Sequence, residues 1–201
     1  MKKIGLPNWV LDLAYKFVDV EKNSPTVDER TYEYAFAASK LLGLPVGTKL
    51  LDVGCVARTN FIPALACELD FDVWGIDIRP YWFEHPNFTF IQGDITDPRL
   101  VPHNMDIVTA ISTIEHIGIK GRYGVTKKRL GSDWTAIRSI YGILRQGGSL
   151  VLTVPTHLRH EDKISSLGKT YGTRTINSML RGWKEVDCRV FKGLYMTEWV
   201  K

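Results

Sequence analysis

The sequence predicts an α/β fold: a doubly wound, mostly parallel seven-stranded sheet with helices on both faces and a C-terminal antiparallel hairpin. Three observations carry this expectation. Short apolar runs stop abruptly at glycine or aspartate, as in TKLLDVG at 48–54, which suits strands buried on both faces. These runs alternate with helix-forming stretches. Near the C-terminus, KEVDCRVF and LYMTEWV are separated only by Lys192 and Gly193, which is a hairpin spacing.

The elements follow in order. An apolar stripe at Trp9, Leu13, Phe17 and Val20 fits a short amphipathic helix, and NSPTVDER then breaks the pattern. DERTYEYAFAASKLL at 28–42 is rich in helix formers and is ended by Gly43 and Pro45. TKLLDVG is the first strand. NFIPALACEL is a helix, with Pro63 tolerated because it lies in the first turn. FDVWGIDI, FTFIQGDI and MDIVTAIST read as strands two to four. SDWTAIRSIYGIL reads as a helix with Ser132 or Asp133 as N-cap, closed by Gly147–Gly148. SLVLTVP is the fifth strand, halted by Pro155, and INSMLRGW the last helix before the hairpin. The chain divides into a helical segment at 1–44, acting as a cap, lid or interface, and a domain at 45–201.

Composition narrows the function classes. Of 201 residues, 44% are hydrophobic and 24% charged, which excludes a disordered, collagenous or coiled-coil chain. No apolar run approaches the ~20 residues of a membrane span. Pro7, Asp12 and Lys16 interrupt the N-terminal stretch, so no secretory signal is expected. Cys55, Cys67 and Cys188 form no CxxC pair, which points to a reducing, cytoplasmic location. The net charge of +4 is well short of a nucleic-acid-binding tail.

In doubly wound sheets ligands sit beyond the carboxyl ends of the strands, where the strand order reverses. Strand one ends in Asp52-Val53-Gly54, strand two in Asp77-Ile78, and strand three in Gly93-Asp94-Ile95. Strand four runs into Ser112-Thr113-Ile114-Glu115-His116. A carboxylate at the tip of strand two suits ribose hydroxyls, the alternative for Asp77 being a helix cap or solvated turn. Asp94 suits an adenine amino group, with Ile78 and Ile95 against the ring faces, or else a simple turn. Asp52, inside a buried strand, needs partners and either orders the Gly54 loop or meets a cationic group of the ligand. A nicotinamide site wants G-x-G-x-x-G, and only the first glycine is present in Gly54-Cys55-Val56-Ala57-Arg58-Thr59, so NAD is disfavoured.

From residue 45 to 200 the chain resembles the class I S-adenosylmethionine-dependent methyltransferases. LLDVGC looks like their first motif, GIDIR their ribose-binding acid, QGDI their adenine-side acid and MDIVTAISTIEHIG their strand-four motif. LRQGGSLVLTVP looks like their fifth-strand segment. The stretches GIDIRPYWFEHPNFTFIQGDI and ISTIEHIGIKGRYG look like a bacterial and archaeal branch linked to surface-sugar or small-metabolite modification.

The resemblance implies S-adenosyl-L-methionine as cofactor. Asp52 and Gly54 would line its methionine end, Asp77 would hold the ribose, and Asp94 with Ile95 would border the adenine. Ser112, Glu115 and His116 would face the sulfonium and the acceptor. Val56 and Arg58 stand where the family usually has glycines, so the loop is wider or Arg58 pairs with the methionine carboxylate.

A hydroxyl acceptor needs its proton removed, for which His116 is the natural base, with Glu115 as orienter or alternative base. No metal set is expected: His157, His160 and Glu161 lie close together, but in a polar loop. Three segments are placed to cover the site, at 1–44, 117–131 and 155–172. The middle one carries Lys120, Arg122, Lys127, Lys128 and Arg129 with Tyr123 and no acid, which suits an anionic or sugar-like acceptor or a solvated face.

The expected function is methyl transfer to a small-molecule or glycan acceptor, at oxygen. The alternatives are an RNA or protein methyltransferase of the same fold and a non-catalytic cofactor- or partner-binding descendant. Nucleic acid is the less favoured partner, no membrane span is expected, and a homo-oligomer is compatible with the apolar stripe at 9–20.

Overall fold

The computed structural model describes residues 29–57, 59–121, 123, 125, 129–157 and 161–201. The stripe at 9–20, and with it Arg58, Arg122, Lys127, Lys128 and His160, lies outside the described residues. Helix α1 (Glu29–Leu41) leads into β1 (Lys49–Val53), α2 (Phe61–Glu68), β2 (Asp72–Asp77) and β3 (Phe88–Gln92). A 3-10 turn (Pro98–Leu100) precedes β4 (Met105–Ile111), and a second one (Ile114–His116) follows it. Then come α3 (Ser132–Ile143), β5 (Leu144–Pro155), the short strands β6 (Lys163–Ile164) and β7 (Lys169–Thr170), α4 (Thr173–Met179), β8 (Lys184–Phe191) and β9 (Leu194–Val200).

Seven strands form one sheet in the order β3-β2-β1-β4-β5-β9-β8. Neighbours among β1 to β5 are parallel, and β9 runs antiparallel to both β5 and β8. The expected doubly wound sheet with a terminal hairpin is therefore the observed one. Its turn holds Lys192 and Gly193 at φ 48° and 81°, the paired positive values that match the twist of two flanking strands. Strand order reverses between β1 and β4, so the crevice opens at the tips of those two strands.

Alternate residues of each central strand go to opposite layers, which is why these strands read as continuous apolar runs. Leu51, Val108, Leu150 and Leu152 pack on one face with Ile137, Ile140 and Ile143 of α3 and Ile176 of α4. Leu50, Ile107 and Val151 pack on the other with Phe61 and Leu65 of α2. Tyr34, Phe36, Ala37, Ala38 and Leu41 of α1 are buried in this second layer, so α1 covers a face of the sheet.

Two local expectations are corrected. The N-cap of α3 is Gly131 at φ 79°, so Ser132 and Asp133 are the helix's first residues. Asp133 is drawn inward instead, accepting from Lys169 Nζ at 2.9 Å and from the Tyr171 hydroxyl at 3.1 Å. Gly147–Gly148 does not close the helix, because β5 begins immediately after it at Leu144. The pair forms a bulge, where the β4–β5 register shifts between Met105 and Ile107. A Cβ on Gly148 would stand 2.9 Å from the Met105 carbonyl oxygen, which explains the glycine. The β6–β7 hairpin was not expected, since two-residue strands leave no periodic pattern.

Candidate active site

At the tip of β1, Asp52 is buried and accepts from Thr109 Oγ1 of β4 at 2.7 Å. Burial pushes its carboxyl up to about 7; the Thr109 bond opposes this and the Asp77 charge adds to it. The chain then turns through Gly54 at φ +77°, whose N–H donates to the Ile76 carbonyl at 2.8 Å. A Cβ at Gly54 would lie 2.4 Å from the Thr113 side chain. The glycine thus lets the β1 turn lie directly against the loop that follows β4.

Asp77 ends β2, and its carboxylate is buried. It accepts from the backbone N–H groups of Val56 at 3.2 Å and Arg79 at 2.9 Å. The Arg79 guanidinium folds back on the same carboxylate, with Nε 3.0 Å from Oδ1 and Nη2 2.9 Å from Oδ2. Beside it Ile78 is 40% exposed, and its carbonyl accepts from Gln92 Nε2 at 3.2 Å. Asp94 follows β3 in an Asx turn, accepting from Thr96 N at 3.0 Å, with Arg129 Nη1 at 3.8 Å from its other oxygen. Ile95 is buried in the core with Ile76 and Val101, whereas Ile78 is an exposed apolar side chain at this rim.

Beyond β4 the chain kinks at Ser112, φ 43°, where the backbone N–H donates to both the carbonyl and the hydroxyl oxygen of Thr153 on β5. The Ser112 hydroxyl donates to Glu33 of α1, as does Thr153 Oγ1 at 2.6 Å. Glu33 is fully buried, and Arg30 Nη1 stands 3.1 Å from its other oxygen. A carboxylate from α1 therefore ties the ends of β4 and β5 together. Glu115 and His116 sit on the adjoining 3-10 turn, with Glu115 Oε1 3.7 Å from His116 Nε2. The His116 ring meets Tyr123 edge-on at 5.6 Å, and a Cβ on Gly168 would approach its Nδ1 to 2.9 Å. Gly168, in the described part of the 155–172 segment, thus packs against the turn. The segment is anchored by Lys169, whose Nζ bonds Asp133 and lies 3.1 Å from Asp162.

Glu115 is buried, and among the described residues no hydrogen-bond partner reaches its Oε2. Burial pushes its carboxyl up to about 8; its own backbone amide opposes this, the Glu33 charge adds, and Arg30 and Ser112 oppose. The fold therefore binds this proton more tightly than the unfolded chain does. The stabilisation is complete below the ordinary glutamate range and is lost as pH rises towards 8. The loss across that window is on the order of several kcal/mol. Asp52 acts in the same direction. Thermal melts of the Glu115→Gln variant should show a flatter pH dependence and a higher midpoint than wild type at pH above about 8. A variant as pH-sensitive as wild type would contradict this.

The structure brings Asp52, Gly54 and Asp77 together at the tips of β1 and β2, and Ser112, Glu115 and His116 at the tip of β4. The Gly54–Thr113 contact joins the two groups. Asp94 and Ile78 lie further out along the β2–β3 rim, and Arg58 lies outside the described residues. Glu33, Thr109, Thr153 and Arg79 were missed as site residues. Glu33 had a signal, since it shares a helix face with the apolar Ala37 and Leu41 at i+4 and i+8. Among the described residues, no group of three or more potential ligands stands where a metal ion could be held.

A family of proteins described as having a methyltransferase domain matches residues 51–152, half of the chain. The chain belongs to that family. The match runs from within β1 to within β5 and takes in the tips of β1 to β4, but stops one residue short of Thr153. Solved structures of methyltransferases share the fold. The N-methyltransferase NodS from Bradyrhizobium japonicum, solved with S-adenosyl-L-homocysteine, is 16% identical, with 97% of this chain and 99% of that one covered at a TM-score of 0.62. A 1,6-didemethyltoxoflavin-N1-methyltransferase from Burkholderia thailandensis, solved with its acceptor and S-adenosylhomocysteine, is 14% identical, with 100% and 92% covered at 0.61. A Haloferax volcanii methyltransferase solved with the activator Trm112 is 15% identical, with 85% and 90% covered at 0.61. Comparison with curated protein sequences finds no match. No helix among the described residues of this methyltransferase is long and apolar enough to cross a membrane.

Proposed function

We propose that this methyltransferase uses S-adenosylmethionine to methylate a hydroxyl of a small-molecule or glycan acceptor, with His116 as general base. The observation that carries the reading is the convergence of the Gly54 turn, the Asp77 carboxylate and the Glu115–His116 turn at the one crevice where strand order reverses. The residues present fit the cofactor. Gly54 leaves room for close backbone approach, Asp77 offers two carboxylate oxygens to the ribose, and the exposed Ile78 offers an apolar face to the adenine. Asp94, half-exposed, stands at the adenine side, with Ile95 supporting that rim from the core. When bound, the cofactor supplies an activated methyl on a sulfonium, so the protein's task is alignment.

The chain's own residues divide that task. Asp52, bonded to Thr109, props the β1 turn from beneath. Glu33, through Ser112 and Thr153, fixes where the β4 loop leaves the sheet. Glu115, its carboxyl raised to about 8, keeps its proton at neutral pH and supports the turn, which leaves the base role to His116. Arg58 pairs with the methionine carboxylate in this reading.

The test is transfer of labelled methyl to a panel of hydroxyl-bearing small molecules and glycans by wild type and by His116→Ala. The variant should bind S-adenosylhomocysteine with unaltered affinity and turn over about a hundredfold more slowly or worse. Unchanged turnover on the accepted substrate would remove His116 as base.

A further inference from the structure

A carboxylate has about four lone-pair directions, and at Asp77 each oxygen already accepts from a backbone N–H and from a guanidinium nitrogen. The backbone donors, on Val56 and Arg79, belong to the turn and stay. The guanidinium donors sit on a side chain that is 32% exposed, so they can leave the carboxylate without moving the turn. Its Nη2 also donates to the Val56 carbonyl oxygen. Its carbon stands 4.2 Å from the centroid of the Tyr123 ring, a cation–π stack. Tyr123 in turn meets His116.

The guanidinium fork gives one N–H to each Asp77 oxygen. A cis vicinal diol gives one O–H to each. We infer that Arg79 is an internal competitor for the ribose diol: it satisfies Asp77 in the free protein and must leave when a ligand's two hydroxyls arrive. Only a ligand with both hydroxyls replaces what the guanidinium gives up, so the exchange selects for an intact diol. Departure of Arg79 also withdraws the cation from the Tyr123 ring, beside His116, and so links capture of the ribose to the base. The inference rests on the assignment of Asp77 to the ribose.

If the guanidinium holds Asp77 for about nine-tenths of the time, apparent affinity is lowered about tenfold. The test is calorimetric titration of the full-length protein with S-adenosylhomocysteine and with its 2′,3′-dideoxy analogue. Arg79→Leu should bind S-adenosylhomocysteine about tenfold tighter than wild type. Arg79→Lys should fall between, because an ammonium cannot bridge both oxygens as a planar fork does. The dideoxy analogue should bind wild type and Arg79→Leu equally, since it does not displace the guanidinium. Equal or weaker binding of S-adenosylhomocysteine by Arg79→Leu overturns the inference, as does a gain that persists with the dideoxy analogue. Asp77→Ala separates the two levels. If it binds as wild type does, the ribose assignment falls and this inference with it; if it binds weakly while Arg79→Leu shows no gain, this inference falls alone.

Discussion

Asp77→Ala is expected to bind S-adenosylhomocysteine at least about tenfold more weakly than wild type, because two hydroxyl-to-carboxylate bonds of roughly 1.5–3 kcal/mol each are lost, less the roughly tenfold that Arg79 already withholds. The protein should remain folded, though not untouched. Val56 N and Arg79 N both donate to this carboxylate and lose their acceptor. Unsatisfied donors cost about 1–3 kcal/mol, and for a chain of this size each kcal/mol lowers the melting midpoint by roughly 2–4 °C. The released guanidinium reaches water and adds little. Calorimetry beside a thermal melt separates the two effects. An unchanged dissociation constant in the folded variant would defeat the ribose assignment.

Gly54→Ala should damage stability and binding together. The backbone at φ +77° disfavours any side chain by about 1–2 kcal/mol. The new methyl would also stand 2.4 Å from Thr113, which must move. Thr113 is the residue from which the Ile114–His116 turn departs, and its hydroxyl donates to the Ile111 carbonyl at 3.1 Å. Pushing it displaces Glu115 and His116. A total loss of about 2–4 kcal/mol is expected, with cofactor affinity and turnover both reduced. Adding Thr113→Ala should recover most of the steric part, since it removes the two atoms at 2.4 Å though not Cβ at 3.0 Å, and leave the backbone part. If Gly54→Ala matches wild type in melt and affinity, the close approach of the two loops is not what shapes the site.

The strand tips were legible because apolar runs end where glycine or aspartate begins, at Gly54, Asp77 and Asp94. The hairpin was legible to the residue, since its two-residue turn is written in Lys192-Gly193. The closing of α3 was not, because Gly147–Gly148 has the form of a helix stop and acts as a bulge in a strand that starts without a loop. Glu33 escaped because a glutamate in a helix usually faces water, and only its inward face marks it. Arg79 escaped because a side chain folding back on the residue two before it leaves no periodic trace. The chemistry-bearing residues of the β-tips were thus readable one strand at a time. The side chains that join the tips were not, since Glu33–Ser112 and Glu33–Thr153 are contacts across long stretches of chain.

The most direct test of the account is calorimetric titration of the wild-type protein with S-adenosylmethionine and S-adenosylhomocysteine. Saturable binding of both at a single site, with a dissociation constant on the order of micromolar, is the expected result. A protein shown to be folded that binds neither would contradict the claim that the tips of β1, β2 and β4 form a cofactor site.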